Sequence, residues 1–372
     1  MILDTYVFYL MFMFFFILSY AFKAKRNWFA ILAFSIILGF RGCGIDYFGY
    51  RDRILYLFHY SFKLVGGEDI GFELPYLLLI KIMKCFSMPS VVFFFILAFL
   101  QIFFLDMFIQ KFKDYRQRLL LSFFFFTSLL FVECFNTMRQ MTAFFIFINL
   151  LLILADGNVK KYCIGNTLLY FVHTSAILLL PLCKLTGKDW FKNSKTSIGI
   201  YIISVLLSKY LIVHLVELSY LLFTITSSLG LRVFAYMDTT NESFIDQDIH
   251  VNSNIGSTIY YLILLIFIVL NGKYYKKQYG TFGIITYNLT YIGFIIQNFI
   301  FNVGVQRINY YFFYVSFIVL ALISYEVFTR KSSSFLMICY NILLMMCSFA
   351  WLTNSIFKEA AGCAPYILSS DF

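Results

Sequence analysis

Charged residues are scarce in this 372-residue chain, at 13%, whereas hydrophobic residues make up 61%. Soluble domains usually carry about 25% charged residues, so this composition excludes an ordinary soluble protein. Apolar runs recur along the whole chain, and about 20 apolar residues in helical form are enough to cross a bilayer. The sequence therefore predicts an all-α, polytopic integral membrane protein.

The signatures of several enzyme classes are also missing. No HExxH, Walker A, CxxC or GxSxG motif occurs, which argues against a metalloprotease, an ATP-driven pump, a redox enzyme and a serine hydrolase. The eight cysteines show no metal-ligand spacing, and a Cys43–Cys363 disulfide is conceivable but has no support in the sequence. We predict neither a metal site nor a cofactor.

The net charge of +10 is distributed as in a membrane protein. Eighteen of the 29 Lys and Arg residues lie in six short clusters between apolar runs. These clusters are residues 23–26, 111–118, 160–161, 184–195, 273–277 and 330–331. Such a pattern marks cytoplasmic loops, so we expect membrane lipids around the protein and no nucleic-acid partner.

With these clusters on the cytoplasmic side, the sequence predicts a single domain of about ten spanning helices over residues 1–372, with both termini outside. Residues 42–72 and 230–256 are expected to be outer loops. Residues 119–155 are long enough for two crossings with an outer turn near 133–138. Residues 73–86 are too short and too charged to span comfortably, which predicts a half-inserted or interfacial helix.

The segment 162–186 is flanked by basic residues on both sides, which indicates that both of its ends are cytoplasmic. A re-entrant hairpin with its tip at His173 would explain this pattern, provided that the tip is buried in protein or lines a cavity. The alternative is one crossing there and two crossings in 197–229.

The first candidate functional cluster runs from Arg41 to Arg53 and contains closely spaced glycines. Glycines permit tight turns that expose N–H groups to anions, and the planar forks of Arg41 and Arg51 suit phosphate. Asp46 could act as a base or orient an arginine, and Tyr47 and Tyr50 lie between these charges. The alternative is an outer loop stitched together by Arg–Asp pairs.

The second cluster, Asn136, Arg139 and Gln140, stands in a stretch dominated by Phe, Leu and Ile. A charged residue at membrane depth costs about 2.5–3.5 kcal/mol on insertion scales, so it usually faces a wet cavity or an anion. The alternative is an arginine that extends to the outer headgroups. The predicted outer turn at 133–138 favours a position for Arg139 near the membrane surface.

Other candidates are more isolated. His173 suits proton transfer, although a lone membrane histidine is more often a hydrogen-bonded core residue. Arg307 and Tyr310 lie at the predicted outer start of a helix, where an interfacial anchor is the alternative. Glu73 is a lone carboxylate beside Pro75 at the start of the half-inserted segment.

Taken together, the chain resembles the EpsG-type branch of bacterial polysaccharide polymerases, the Wzy-like enzymes. Four elements occur in the expected order along nearly the whole chain. These are Phe40-Arg41-Gly42 with Gly44, Asp46 and Tyr50; Glu73 before a short apolar helix; Asn136-Thr137-Met138-Arg139-Gln140 with Ala143; and His173-Thr174-Ser175-Ala176. Beyond residue 200, Arg307 with Asn309 and Tyr310 matches the pattern.

The resemblance implies a metal-independent glycosyl transfer at the outer face of the bacterial inner membrane, with undecaprenyl-diphosphate-linked repeat units as donor and acceptor. Arg139, Arg41 and Arg307, with Arg51 in reserve, would hold the leaving diphosphate. Asp46, His173 and Glu73 are the candidate bases, in that order. The substrate-binding set would further include Tyr47, Tyr50, Asn136, Gln140 and Tyr310. A chain-length regulator and a flippase of the same pathway are possible partners.

Three alternatives stay open at this level. An O-antigen ligase or a lipid-linked-sugar glycosyltransferase would need the same cations and base. A flippase would be expected to show repeated halves around a basic cavity, and no repeat is visible. A structural subunit of an envelope assembly would leave the predicted outer-face Arg, Asp and His residues unexplained.

Overall fold

The computed structural model describes residues 1–22, 25–59, 73–184, 187–194, 196–208, 255–300, 303–359 and 362–369. Its α-helices, numbered in chain order, are α1 Ile2–Ser19, α2 Trp28–Gly39, α3 Ile45–His59, α4 Leu74–Cys85, α5 Val91–Ile109, α6 Tyr115–Thr127, α7 Leu130–Asn136, α8 Met138–Ala155, α9 Val159–Val172, α10 Thr196–Ser208, α11 Ile255–Gln297, α12 Val303–Phe313, α13 Ser316–Thr329 and α14 Phe335–Phe357. A 3-10 helix, Thr174–Lys184, follows α9. The prediction of an all-α polytopic membrane protein is confirmed.

Within the described residues, six helical segments are at least 18 residues long and apolar enough to cross a membrane. They are α1, α5, α8, most of α11, α14, and residues 306–329, which combine the end of α12 with α13. One of these, α11, contains a break at Gly280, where φ is 54°, so it consists of two helices joined by a sharp bend. The bent pair α6 and α7 could form one further span. The predicted total of about ten stays a prediction, because residues 209–254, which include most of the predicted outer loop 230–256, lie outside the described residues.

Side-chain caps begin four helices directly beside basic clusters of the sequence. The residues that accept a hydrogen bond from an N–H of the first turn are Asn27 for α2, Asp114 for α6, Asn158 for α9 and Ser334 for α14. Short polar side chains satisfy N–H groups that have no partner within the helix. The same loops therefore carry both the helix-start signal and the positive charge that predicted their cytoplasmic position.

The chain packs as two compact units, residues 1–186 with 320–372, and residues 187–319. In the first unit, α5 packs between α2 and α8. A Cβ added to Gly39 would lie 2.6 Å from Phe95 Cα, so glycine allows α2 and α5 to approach closely. Phe16, Phe34 and Phe131 fill the space between α1, α2 and α7.

The predicted pair of crossings in 119–155 corresponds to α6, α7 and α8. The chain bends by 54° between α6 and α7, where Leu129 adopts a positive φ of 66°. Thr137 separates α7 from α8, so a break between helices falls inside the predicted range 133–138, while the outer position of the turn stays a prediction. Arg139 consequently lies in the first turn of α8 and not in the middle of a span.

The chain also reverses direction at His173, as the re-entrant hairpin requires. Tyr162 Oη in α9 donates to the carbonyl of Leu179 at 2.6 Å, and Asn166 Nδ2 donates to the carbonyl of Ala176 at 3.0 Å. The two legs therefore run antiparallel. A 14-residue helix is about 21 Å long, which is shorter than the roughly 30 Å hydrocarbon core.

The predicted outer segment 42–72 contains a helix in its first part, because Ile45–His59 forms α3, and its position outside the membrane stays a prediction. Nothing lies within 4 Å of a Cβ added to Gly49, so packing does not require a glycine at this position of the helix. Residues 60–72 lie outside the described residues. The half-inserted segment predicted at 73–86 corresponds to α4, whose buried residues are Tyr76, Ile80 and Met83.

The C-terminal strap, residues 362–369, lies across the junction of α2 and α3. Arg41 and Leu368 form an antiparallel bridge, and Gly42 N donates to the carbonyl of Ile367 at 2.7 Å. Ser369 N donates to the carbonyl of Phe40 at 2.9 Å. The strap thereby fixes the backbone on both sides of Arg41.

In the second unit, residues 187–194 and the helices α10, α11 and α12 are joined by polar contacts. Lys276 forms an ion pair with Asp189 at 2.7 Å, close to the predicted cytoplasmic turn 273–277. Asn298 Nδ2 donates to Ser204 Oγ at 2.8 Å, and Asn309 Nδ2 donates to Gln297 Oε1 at 2.8 Å. These contacts join residues 187–194, α10, α11 and α12 to one another within the second unit.

Candidate functional site

Arg139 is the centre of a cluster contributed by α3, α4 and α8. Its Nη1 forms a salt bridge with Oε2 of Glu73, and its Nε donates to Tyr50 Oη at 3.0 Å. The guanidinium carbon lies 5.3 Å from the centre of the Tyr50 ring and 5.9 Å from that of Tyr76. The Arg139 and Glu73 side chains are only 14% and 12% exposed.

The junction of α7 and α8 is joined to the start of α3. Asp46 N donates to Asn136 Oδ1 at 3.1 Å, and Asp46 stands in the first turn of α3. Asn136 ends α7, three residues before Arg139. This contact brings Asp46, Asn136 and Arg139, which the sequence had placed in separate motifs, into one region of the structure.

Arg41 lies in the framework beneath this cluster, fully buried. Its guanidinium donates to three backbone carbonyls, those of Leu38, Cys43 and Phe135. The rings of Phe94 and Phe135 lie 5.7 and 5.2 Å from its guanidinium carbon. Through these bonds Arg41 connects α2 to α7. A contact of Arg41 with the lipid diphosphate stays a prediction.

Gly44 allows the segment between α2 and α3 to pack closely against Phe135 in α7. Its φ is 114°, and a Cβ added there would lie 2.9 Å from the carbonyl oxygen of Phe135. A side chain would be strained by the backbone and would collide with that oxygen. Glycine at this position therefore serves the packing of α3 on α7.

The other predicted residues of the first motif have separate partners. Tyr47 is buried, and its Oη lies 2.7 Å from Ser369 Oγ in the C-terminal strap. Arg51 pairs with Asp52 at 3.1 Å on an exposed part of α3, as the alternative of Arg–Asp stitching expected. Substrate contacts of Tyr47 and Arg51 stay predictions.

Gln140 is buried in α8, directly after Arg139. His173 stands at the tip of the α9 hairpin, with its Nδ1 2.6 Å from Ser175 Oγ. Arg307 and Tyr310 belong to α12 in the second unit, where the Tyr310 ring is 5.0 Å from that of Tyr314. The participation of these four residues in one site stays a prediction.

Sequence reasoning missed two side chains that shape the cluster. Tyr76 follows Glu73 by three positions, so both fall on one face of a helical turn and reach Arg139 together. Gln101 is a fully buried amide in α5, and its Nε2 donates to the carbonyl of Met138 at 2.9 Å. The sequence signal for Tyr76 is its spacing of three residues from Glu73. The signal for Gln101 is that it is a single amide within an apolar helix.

Burial also affects two thiols near Arg41. Burial, with a smaller contribution from the Cys43 thiol, raises the pKa of Cys363 to about 12. Burial raises the pKa of Cys43 as well, although Arg41 partly opposes this shift. Neither cysteine is in a disulfide, so the pair that the sequence left conceivable is present as two buried thiols.

These features define a multi-pass helical membrane protein with a largely buried arginine–carboxylate–tyrosine cluster at one end of its helices. The model of the EpsG family matches residues 26–368, and the chain belongs to that family. Membership supports a role of the polysaccharide-polymerase type. The resemblance noted from the sequence is thereby confirmed. Comparisons with curated proteins and with solved structures found no match.

Proposed function

We propose that the protein joins undecaprenyl-diphosphate-linked oligosaccharide repeat units at the outer face of the bacterial inner membrane. The observation that carries this proposal is the contact of Arg139 with Glu73 and Tyr50. It combines a cation for a leaving diphosphate, a carboxylate and an aromatic hydroxyl within one cluster. EpsG membership supplies the class of reaction.

The chemistry requires an acceptor hydroxyl to attack the anomeric carbon of the donor sugar. The bond between that carbon and the diphosphate oxygen breaks, and negative charge develops on the lipid diphosphate. A guanidinium that is already oriented stabilises such charge without reorganisation at the moment of reaction. Arg139 meets this requirement, because its bonds to Tyr50 and Glu73 and the rings of Tyr50 and Tyr76 orient the guanidinium.

The hydroxyl proton needs an acceptor, and Asp46, His173 and Glu73 are the candidates. Tyr50 and Tyr76 present rings that suit stacking on a sugar as well as on the guanidinium. Asn136 and Gln140 would provide hydrogen bonds to sugar hydroxyls. These roles belong to the proposal.

Deleting the gene tests the proposal through the glycan profile of the strain. We expect long-chain polysaccharide to disappear while lipid-linked single repeat units accumulate on the outer face of the inner membrane, and the wild-type gene should restore the polymer. A deletion strain without repeat units on the outer face would favour a flippase instead. Long chains that persist but stay on the lipid carrier would favour a ligase.

A further inference from the structure

The Arg139 guanidinium is already occupied by a carboxylate in the structure. Glu73 pairs with Nη1, while Tyr50 accepts from Nε. A diphosphate carries more negative charge than a carboxylate and accepts the donor fork of arginine through two oxygens. A diphosphate that binds Arg139 must therefore compete with Glu73 for the same donors.

Glu73 can leave Arg139 without unfolding its own helix. It precedes α4 with extended backbone angles, φ −70° and ψ 156°, and its carboxylate makes no capping hydrogen bond to the first turn of α4. Its side chain can therefore rotate while α4 stays in place. The Tyr76 ring, one turn further along α4, remains beside the guanidinium.

We infer that Glu73 is the catalytic base and that the lipid diphosphate releases it by replacing it on Arg139. This inference rests on the proposed function and selects one of the three base candidates. Before substrate binds, Oε2 of Glu73 is bonded to Arg139 Nη1, so the carboxylate is engaged by the arginine and not by an acceptor hydroxyl. Once the diphosphate takes the cation, the carboxylate is free to accept a proton.

The acceptor oxygen forms a bond to the anomeric carbon while its proton passes to the Glu73 carboxylate. The bond from the anomeric carbon to the diphosphate oxygen breaks, and its electron pair leaves with the diphosphate beside Arg139. Donor binding and activation of the base are thereby coupled, so an unoccupied site does not activate an acceptor hydroxyl.

Binding of geranylgeranyl diphosphate to the purified full-length protein in lipid nanodiscs tests the exchange. Glu73→Gln removes the competing charge, so we expect this variant to bind the probe about tenfold more tightly than the wild type. Arg139→Ala should lose binding. Glu359→Gln, a matched change of an exposed glutamate, should bind like the wild type. Thermal unfolding of each variant shows that it is folded.

Polymer formation by the same variants distinguishes a role of Glu73 as the catalytic base from a role as a structural partner of Arg139. We expect Glu73→Gln to combine tight binding with loss of polymer, and Glu73→Asp to retain part of the polymer. Equal or weaker probe binding by Glu73→Gln would overturn the exchange, and polymer at the wild-type level in Glu73→Gln would overturn the base assignment. Probe binding that survives Arg139→Ala would instead contradict the proposed function.

Discussion

Arg41 Nη2 donates to the backbone carbonyl of Phe135, a residue 94 positions further along the chain. This bond ties the first sequence motif to the segment that presents Arg139. Because Arg41 has two further carbonyl acceptors and is fully buried, its charge holds together three pieces of backbone. The two arginines that looked equivalent in the sequence thus have different surroundings.

Replacing Arg41 should therefore damage folding. In Arg41→Ala, three buried carbonyls lose a charged donor, and each such hydrogen bond contributes about 1.5–3 kcal/mol. We expect the folded protein in membranes to fall several-fold, with a lower unfolding temperature in detergent. Normal abundance of Arg41→Ala with loss of polymer would point instead to a direct substrate contact for Arg41.

Replacing Arg139 should remove activity without removing the protein. Its side chain is partly accessible and lies in the first turn of α8, so Arg139→Ala is expected to insert normally. Cells should then display lipid-linked material of one repeat unit and no long chains. Arg139→Lys should restore little, because lysine keeps the charge and lacks the planar fork. Arg116→Lys, at an exposed position, is the matched control and should polymerise normally.

The two glycines flanking the start of α3 should respond oppositely to alanine. Gly44→Ala places a Cβ 2.9 Å from Phe135 O at a φ of 114°, which should cost about 1–3 kcal/mol. Gly49→Ala meets nothing within 4 Å inside a helix and should stabilise by about 0.5–1 kcal/mol. Unfolding temperatures of the two variants measure the difference. Equal effects would contradict the close approach of Gly44 to α7.

Alkylation of the two buried thiols should depend strongly on pH. Burial raises the pKa of Cys363 to about 12, so at pH 8 only about one thiol in ten thousand is in the reactive thiolate form. We expect N-ethylmaleimide at pH 8 to label exposed Cys85 in the folded protein, to leave Cys363 unlabelled, and to label Cys43 more slowly than Cys85, because burial raises the pKa of both buried thiols. Mass spectrometry of peptides reports each site, and labelling in denaturant is the control. Labelling of Cys43 as fast as that of Cys85 would exclude the buried arrangement.

A re-entrant hairpin formed by α9 and the 3-10 helix predicts that the segment after it lies on the cytoplasmic side of the membrane. A cysteine introduced at Asn193, in a background without native cysteines, should be labelled by membrane-impermeant maleimide only after the cells are opened. A cysteine at Thr174, at the hairpin tip, should be accessible from outside. Labelling of Asn193→Cys in intact cells would exclude a re-entrant hairpin and favour a complete crossing.

The sequence indicated the candidate site residues, but it did not predict the contacts that these residues make. Charge clusters and apolar runs indicated the helices, because partition into a membrane depends on composition over a window of residues. They did not indicate the helix α3, because the glycines of residues 42–49 are typical of turns, although among them Gly44 alone has a positive φ. The spacing of Tyr76 from Glu73 is a signal for this residue, but in an aromatic-rich sequence that spacing alone does not show that the ring lies beside a guanidinium.

The sequence by itself determined the membrane class, the position of Arg139 near a helix start and the motif pattern of the family. Tertiary structure alone decided that Glu73 pairs with Arg139 and that Arg41 is enclosed by three carbonyls. The physical reason is that hydropathy and turn signals act over a few residues, whereas hydrogen bonds and ion pairs depend on distances between segments that lie far apart in the chain. Two arginines to which the sequence assigned the same role therefore acquired different surroundings only when the helices packed.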